Sequence, residues 1–290
     1  MMKPSRALCI SRDDKVRRAV AEALASTGLR IHYSDDVGAG HGDPLAIVFV
    51  DRAIRVSSGD HLRTLGAPVV VVGDDLDDDR LITLMLERPV SHLVSDPEDR
   101  DLSITSEKLA SGDLFGLEKY LAAGTPVCER AIHSELAKRR VMDEVCAWAE
   151  LIGARRPVLH RLANVVDELL MNALRDVEGT GTSCASIVRW ATDDRVLAIS
   201  VTDSHGALSQ REVIDHVLRA RTERGRPRTS SEANRGAGLG LYLVLANVAS
   251  LIVNVAPGKR TEVVCLFDLA KRSQRGVRSG VRALHVFAGS

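Results

Sequence analysis

Aromatic side chains are scarce, making up 3% of the chain, so any core must be built from aliphatic packing. Cysteine is sparse too. Cys9, Cys128, Cys146, Cys184 and Cys265 are scattered with none of the close spacings that a zinc site or a redox pair uses, and they read as small core residues in a reducing compartment. Charge of one sign is also missing, because Lys plus Arg and Asp plus Glu number 39 each. A chain without a net field has little to attract nucleic acid or an anionic membrane, and neither is expected as a partner. No run approaches the roughly 20 apolar residues needed to cross a bilayer. The opening Met-Met-Lys-Pro-Ser-Arg leads into an apolar stretch too short for a signal peptide, broken by Arg12, Asp13 and Asp14. The cytoplasm is the expected location.

What is present is 45% hydrophobic and 27% charged over 290 residues, enough for two ordinary domains of about 100 to 200 residues each. Residues 1–105 alternate short aliphatic runs with helical stretches, the pattern of a parallel sheet flanked by helices in an α/β domain. Strands are predicted at Arg6 to Ser11, Arg30 to Tyr33, Ala46 to Asp51, Pro68 to Gly73 and His92 to Ser95. Between the first two, Val16, Val20 and Leu24 form one apolar stripe of a helix over Lys15 to Ser26. Residues 106–125, with Gly112, Gly116, Gly124 and a short helix around Leu117 to Ala122, are predicted to link two domains.

The second domain is predicted over 126–270. A strand at Cys128 to His133 precedes a helix over Ser134 to Ile152, with Ser134 as N-cap and Gly153 as stop. A further helix is predicted at Val158 to Asp176. Two strands follow within Ser186 to Thr202, around Asp193-Asp194, then a helix at Leu239 to Leu251 and strands near Ile252 to Val255 and Glu262 to Leu269. Residues 271–290 carry Lys271, Arg272, Arg275, Arg278 and Arg282 with no Asp or Glu, and read as a basic solvated tail.

Three short motifs in the second domain carry chemistry. In DELLMNAL, Asp167 to Leu174, the residues Glu168 and Asn172 project from one helix face. A carboxylate there can orient or deprotonate a water, and an amide oxygen can complete the shell of a magnesium ion that bridges phosphates. In VTDSHGAL, Val201 to Leu208, Asp203 ends an aliphatic strand before a turn containing Gly206. It can accept a hydrogen bond from an exocyclic amine, as an adenine pocket requires, or merely cap the turn. In RGAGLGL, Arg235 to Leu241, the residues Gly236, Gly238 and Gly240 allow close backbone approach to an anion at a helix N-terminus. Each motif alone is commonplace on ordinary helices and loops.

In this order, and with Thr261 entering a final strand, the three motifs resemble the N, G1 and G2 boxes of the GHKL superfamily. The resemblance implies an α/β sandwich that binds ATP with Mg2+. By the resemblance, Asn172 holds the metal and Glu168 is the general base or its relic. Asp203 reads adenine with help from Thr261, and Gly236, Gly238 and Gly240 close the phosphate end. One departure is plain: the usual Asp-x-Gly-x-Gly is here Asp203-Ser204-His205-Gly206-Ala207. Without a helical hairpin before the N-box helix, the order is similar to the anti-sigma-factor serine-kinase branch more than to the histidine kinases. His133 reads as an ordinary strand-end histidine.

The first domain resembles a two-component receiver, a doubly wound, flavodoxin-like fold, with Asp13, Asp14 and Asp51 in the places of its phosphorylation pocket. It departs at Gly73, where receivers carry Thr or Ser, and at Asp96-Pro97, where they carry Lys-Pro. A pseudo-receiver used for docking or dimerisation is expected, with Asp13, Asp14 and Asp51 as a vestigial phosphoacceptor pocket. Two functions follow from these resemblances. One is a GHKL kinase, on Ser or Thr rather than His, or an ATPase, acting on a regulatory protein partner. The other is a non-catalytic scaffold in which ATP orders the stretch from Leu218 to Arg235. That stretch, with Arg219, Arg221, Arg224, Arg226 and Arg228, reads either as a lid over phosphates or as a solvated loop. A homodimer is left open.

Overall fold

A computed structural model of the chain describes residues 5–36, 44–53, 62, 64–73, 90–97, 100–180, 185–206, 208, 212–213, 237–269 and 283–289, with backbone only at 175–180, 237–239 and 242. Two compact units divide it. One comprises residues 1–114 with 282–285, and the other residues 115–281 with 286–290.

In the first unit the aliphatic runs form β1 (Arg6–Ile10), β2 (Arg30–Ser34), β3 (Ile47–Asp51), β4 (Val69–Val72) and β5 (Val90–Val94). They pair in parallel in the order β2-β1-β3-β4-β5. β3 and β4 are buried at every position, which is why they read as unbroken apolar runs without polar alternation. Helix α1 (Asp14–Leu24) starts where the Asp13 carboxylate accepts a hydrogen bond from the Lys15 N–H at 2.8 Å, an N-cap. Its stripe of Val16, Val20 and Leu24 joins Ala7, Cys9, Phe49, Val70 and Val72 in one core. Helix α2 (Arg100–Ser111) packs beside α1 and adds Leu102 to that core. It occupies the first residues of the stretch expected to link the domains.

The second unit contains β6 (Cys128–Ile132), β7 (Ser186–Thr192), β8 (Val196–Asp203), β9 (Ser250–Ala256) and β10 (Arg260–Asp268). Every pairing among them is antiparallel, in the order β9-β10-β8-β7-β6. Helix α3 (Glu135–Leu151) begins at Ser134, whose hydroxyl accepts from the Ala137 N–H, and Gly153 beyond its end has φ +76. Helix α4 (Arg156–Thr180) follows with Pro157 in its first turn, where the missing N–H is no loss. It packs on α3, on β8 and β10, and on α5 (Ala237–Asn247). Mixed α/β architecture, with a parallel sheet first and an antiparallel sheet backed by helices second, is thus the observed fold.

Two expectations are corrected. The last predicted helix was carried to Leu251, but α5 ends at Asn247 and β9 begins at Ser250. Only the isolated Asn247 and Ser250 interrupt the apolar residues across that boundary, so hydropathy alone marks no clear end. The basic tail contains a strand, β11 (Ala283–Ala288), buried over its first five residues, with Ala283 to His285 antiparallel to β5. Its run Ala-Leu-His-Val-Phe is core material masked in the sequence by the arginines before it. Lys271, Arg272, Arg275, Arg278 and Arg282 lie outside the described residues. So do Cys184 and the arginine-rich stretch 218–235.

Candidate functional site

Asp203 closes β8 and stands directly opposite Thr261 of β10. Opposed residues share a face of a sheet, so this pair lies on one surface with Val201 and its neighbours Val188 and, one strand further, Arg130. Arg130 donates to Glu144 of α3 at 3.0 Å, which identifies the surface as the one turned toward the helices. Helix α4 crosses β8 and β10 there.

The Asp203 carboxylate divides its duties. Its Oδ1 accepts hydrogen bonds from the His205 N–H at 2.8 Å and the Gly206 N–H at 3.1 Å, while Oδ2 has no partner among the described residues. The turn is held from the other side as well. Gly206 sits at φ +58, and a Cβ there would meet the backbone N of Lys259 at 2.7 Å and of Arg260 at 2.8 Å. Only glycine combines that positive φ with that contact. Thr261, 1% exposed, has a buried Oγ1 with no hydrogen-bond partner among the described residues. An unmet buried hydroxyl costs about 1–3 kcal/mol, and a ligand that reaches it would recover that energy.

Glu168 and Asn172 are both half-buried on α4, one turn apart. The Glu168 carboxylate lies against α5 at the point where Gly240 has no side chain, and a Cβ on Gly240 would collide with it. Gly238 belongs to the first turn of α5 and Gly236 lies outside the described residues. The structure therefore assembles two pairs, Asp203 with Thr261 on β8 and β10, and Glu168 with Gly240 on α4 and α5, with α4 packed on β8 and β10. An acceptor beside an unmet hydroxyl suits the edge of a purine amine. A carboxylate against a glycine in the first turn of α5, with an amide one turn further along α4, suits phosphates with a divalent cation. These donor sets fit ATP with Mg2+.

Sequence reasoning missed several supporting residues. Lys138 of α3, 7% exposed, forms an ion pair at 2.9 Å with Asp167, the neighbour of Glu168. On the opposite face of the sheet, buried Glu262 accepts from the Asn254 side chain at 2.9 Å and the Gly116 N–H at 3.0 Å. No local signal marks Glu262, because β10 is buried on both faces and its polar residues show no simple alternation.

The acidic residues of the first unit are arranged differently. Asp51, at the end of β3 and 7% exposed, accepts from the Ser11 hydroxyl at 2.6 Å and from the Ala53 N–H at 2.8 Å. Asp13 is engaged as the α1 cap, and Asp14 is exposed in the first turn of that helix. They form no group of three able to hold a metal ion, nor does any other cluster of His, Cys, Asp and Glu among the described residues. Among those residues no helix is long and apolar enough to cross a membrane. The four cysteines described are free, and burial pushes the Cys9 thiol to about 12 and raises that of Cys265, which leaves both inert as nucleophiles.

No curated protein matches the chain. Among solved structures it is similar to a solution NMR structure of a de novo designed Rossmann 2x3 fold protein, at 14% identity over 37% of this chain and 91% of that one, with a TM-score of 0.27. Residues 158–271 match the family of histidine kinase-, DNA gyrase B-, and HSP90-like ATPases. Glu168, Asn172, Asp203, Gly240 and Thr261 all fall inside that segment, which supports a GHKL domain there and, with it, nucleotide binding of the kinase and ATPase type.

Proposed function

We propose that this protein binds ATP with Mg2+ through Asp203, Thr261, Asn172 and the Gly236, Gly238 and Gly240 stretch, and acts as a kinase or ATPase on a regulatory protein partner. The observation that carries the reading is the pairing of Asp203 with Thr261, an anchored acceptor beside a buried hydroxyl with no partner among the described residues. When bound, ATP supplies the terminal phosphoryl group for transfer or hydrolysis. Asp203 Oδ2 accepts from the purine amine while Oδ1 keeps the turn rigid, and Thr261 completes the base edge. Asn172 provides an amide oxygen for the cation. Glu168, held against α5, orients or deprotonates the attacking hydroxyl or water. Preference for a Ser or Thr acceptor follows from the likeness to anti-sigma-factor serine kinases, which rests on the order of elements from β6 to α4.

The first unit we read as a pseudo-receiver. Its strand order, β2-β1-β3-β4-β5, is that of flavodoxin-like sheets, and Asp51 stands at the carboxyl end of β3. Engagement of Asp13 as a helix cap and of Asp51 by Ser11 favours docking over phosphoryl acceptance. A second reading, a non-catalytic scaffold gated by nucleotide, is favoured by one observation: His205 and Ala207 stand where the family pattern has glycines.

Calorimetric titration with ATP-Mg2+ tests the pocket in wild type and Asp203→Asn. The amide variant keeps an oxygen to cap the turn but presents a donor where the purine amine needs an acceptor, so binding should fall without loss of fold. Phosphate release in wild type and Glu168→Ala then separates the readings. Turnover lost with binding retained supports the enzyme; no turnover in wild type, with partner binding sensitive to Asn172→Ala, supports the scaffold. Absence of binding at millimolar ATP would overturn both.

A further inference from the structure

Three consecutive residues of β10 face two ways. Side chains alternate along a strand, so Thr261 points to the helix side with Asp203, while Arg260 and Glu262 point to the other. Both of these hold one short segment. The Arg260 guanidinium stacks on the Phe115 ring at 3.6 Å, and Glu262 Oε2 accepts from the Gly116 N–H at 3.0 Å. Gly116 takes φ +118, a backbone conformation that L side chains rarely adopt, so glycine suits the approach of this backbone to Glu262. The segment then forms a 3-10 turn, Leu117–Tyr120, with Leu117, Tyr120 and Leu121 buried. It is held again at its far end, where the Ala122 N–H donates to Asp193 at 2.9 Å. Burial alone would raise the Asp193 carboxyl, but bonds from the Val196, Arg195 and Ala122 N–H groups outweigh it and hold it below the usual range.

Residues 115–122 follow directly on residue 114, the last of the first unit before its return segment. They are the outgoing link of the chain, and the strand that clamps them is the one that carries Thr261.

We propose that nucleotide occupancy at Asp203 and Thr261 is coupled to the order of residues 115–122 through Arg260 and Glu262, making this link the element that reports the state of the pocket. The proposal rests on the nucleotide reading above. A ligand that engages Thr261 fixes β10 at the residue between the two clamps, and what tightens the clamps must, by reciprocity, tighten the pocket. Phe115 and Glu262 thereby act as positioning residues and touch no nucleotide.

Hydrogen exchange on the full chain, with and without ATP-Mg2+, reads the coupling at the amides of Gly116 and Ala122. Exchange there should slow on ATP addition. Phe115→Ala should weaken ATP by about five-fold or more, the lower range of measured couplings. Glu262→Gln, which keeps an oxygen for both donors, should bind as wild type while Glu262→Ala does not. Should Glu262→Ala fail to fold, Phe115→Ala and the wild-type exchange data still decide. ATP binding that leaves 115–122 exchange unchanged and is indifferent to Phe115→Ala overturns the coupling while the pocket stands. Loss of ATP binding in wild type overturns the pocket and the coupling with it.

Discussion

Acid should unfold the first unit before the second, because two histidines are buried there in neutral form. His92 and His285 stand opposite each other on β5 and β11, 1% and 2% exposed, with ring centroids 5.6 Å apart. Burial, with Lys108 as the second cause, lowers His92 to about 3. His285 is pushed well below its ordinary value by burial, then by His92 and Lys108. Above pH 6.5, the value for an exposed histidine, both are neutral whether folded or unfolded and pH has no leverage through them. As pH falls below that, the unfolded chain takes up protons that the folded unit refuses, so stability declines until the folded values are reached. At pH 5.5 an unfolded histidine is protonated about ten to one, worth a little over about 1 kcal/mol each, or roughly 3 kcal/mol for the pair. Against a domain stability of about 5–15 kcal/mol that is a large fraction. Cys9 lies buried in the first unit and Cys265 in the second, so a thiol-labelling pulse across a urea series, read by peptide mass, follows the two units separately. From pH 7.5 to 5.5 the Cys9 midpoint should drop well beyond the Cys265 midpoint, and His92→Gln with His285→Gln should remove most of the difference. Equal shifts for both cysteines, or a shift that survives the double substitution, would refute the reasoning.

Gly240→Ala drives a methyl group into the Glu168 carboxylate; overpacking of this kind costs about 1–3 kcal/mol, to be seen as a lower thermal midpoint together with weaker ATP binding. Thr261→Val should move the two readouts in opposite directions. It removes a buried hydroxyl with no partner among the described residues, so the ligand-free protein should gain about 1 kcal/mol in urea unfolding while ATP affinity declines. Ser134→Ala removes the α3 cap and should cost about 1 kcal/mol, followed through the fluorescence of Trp148 and Trp190, with ATP affinity unchanged.

Strands in the first unit were readable because β3 and β4 are short aliphatic runs bounded by polar residues, and α1 because its stripe has helical period and an Asp N-cap. Helix α3 was equally legible from Ser134 and Gly153. Boundaries failed where burial is continuous. Between Leu239 and Val255 the chain is mostly apolar through a helix, a turn and a strand, and the isolated Asn247 and Ser250 do not by themselves mark a boundary. β11 failed for the converse reason, since five buried residues follow a long arginine-bearing stretch whose charge dominated the reading. Glu262 was invisible because a buried carboxylate in a strand declares itself only through the donors that reach it, and one of these, Gly116, is 146 residues away.

Under the nucleotide reading, cap and ligand acceptor are not exclusive roles for Asp203. A capping residue has its side chain fixed by the turn it closes, and a recognition residue needs its side chain fixed before the ligand arrives. One carboxylate can meet both needs, because Oδ1 takes the His205 and Gly206 amides and so sets the direction of Oδ2. The residues that depart from the family pattern act within the same turn. His205 contributes a backbone N–H that any residue would supply, whereas Gly206 makes the close contact with Lys259 and Arg260 that only glycine allows. Both glycines of the family pattern are replaced, and Gly206, at the variable position between them, is the residue whose loss would displace β10 as well as the turn, and through β10 both Thr261 and the clamp on Gly116.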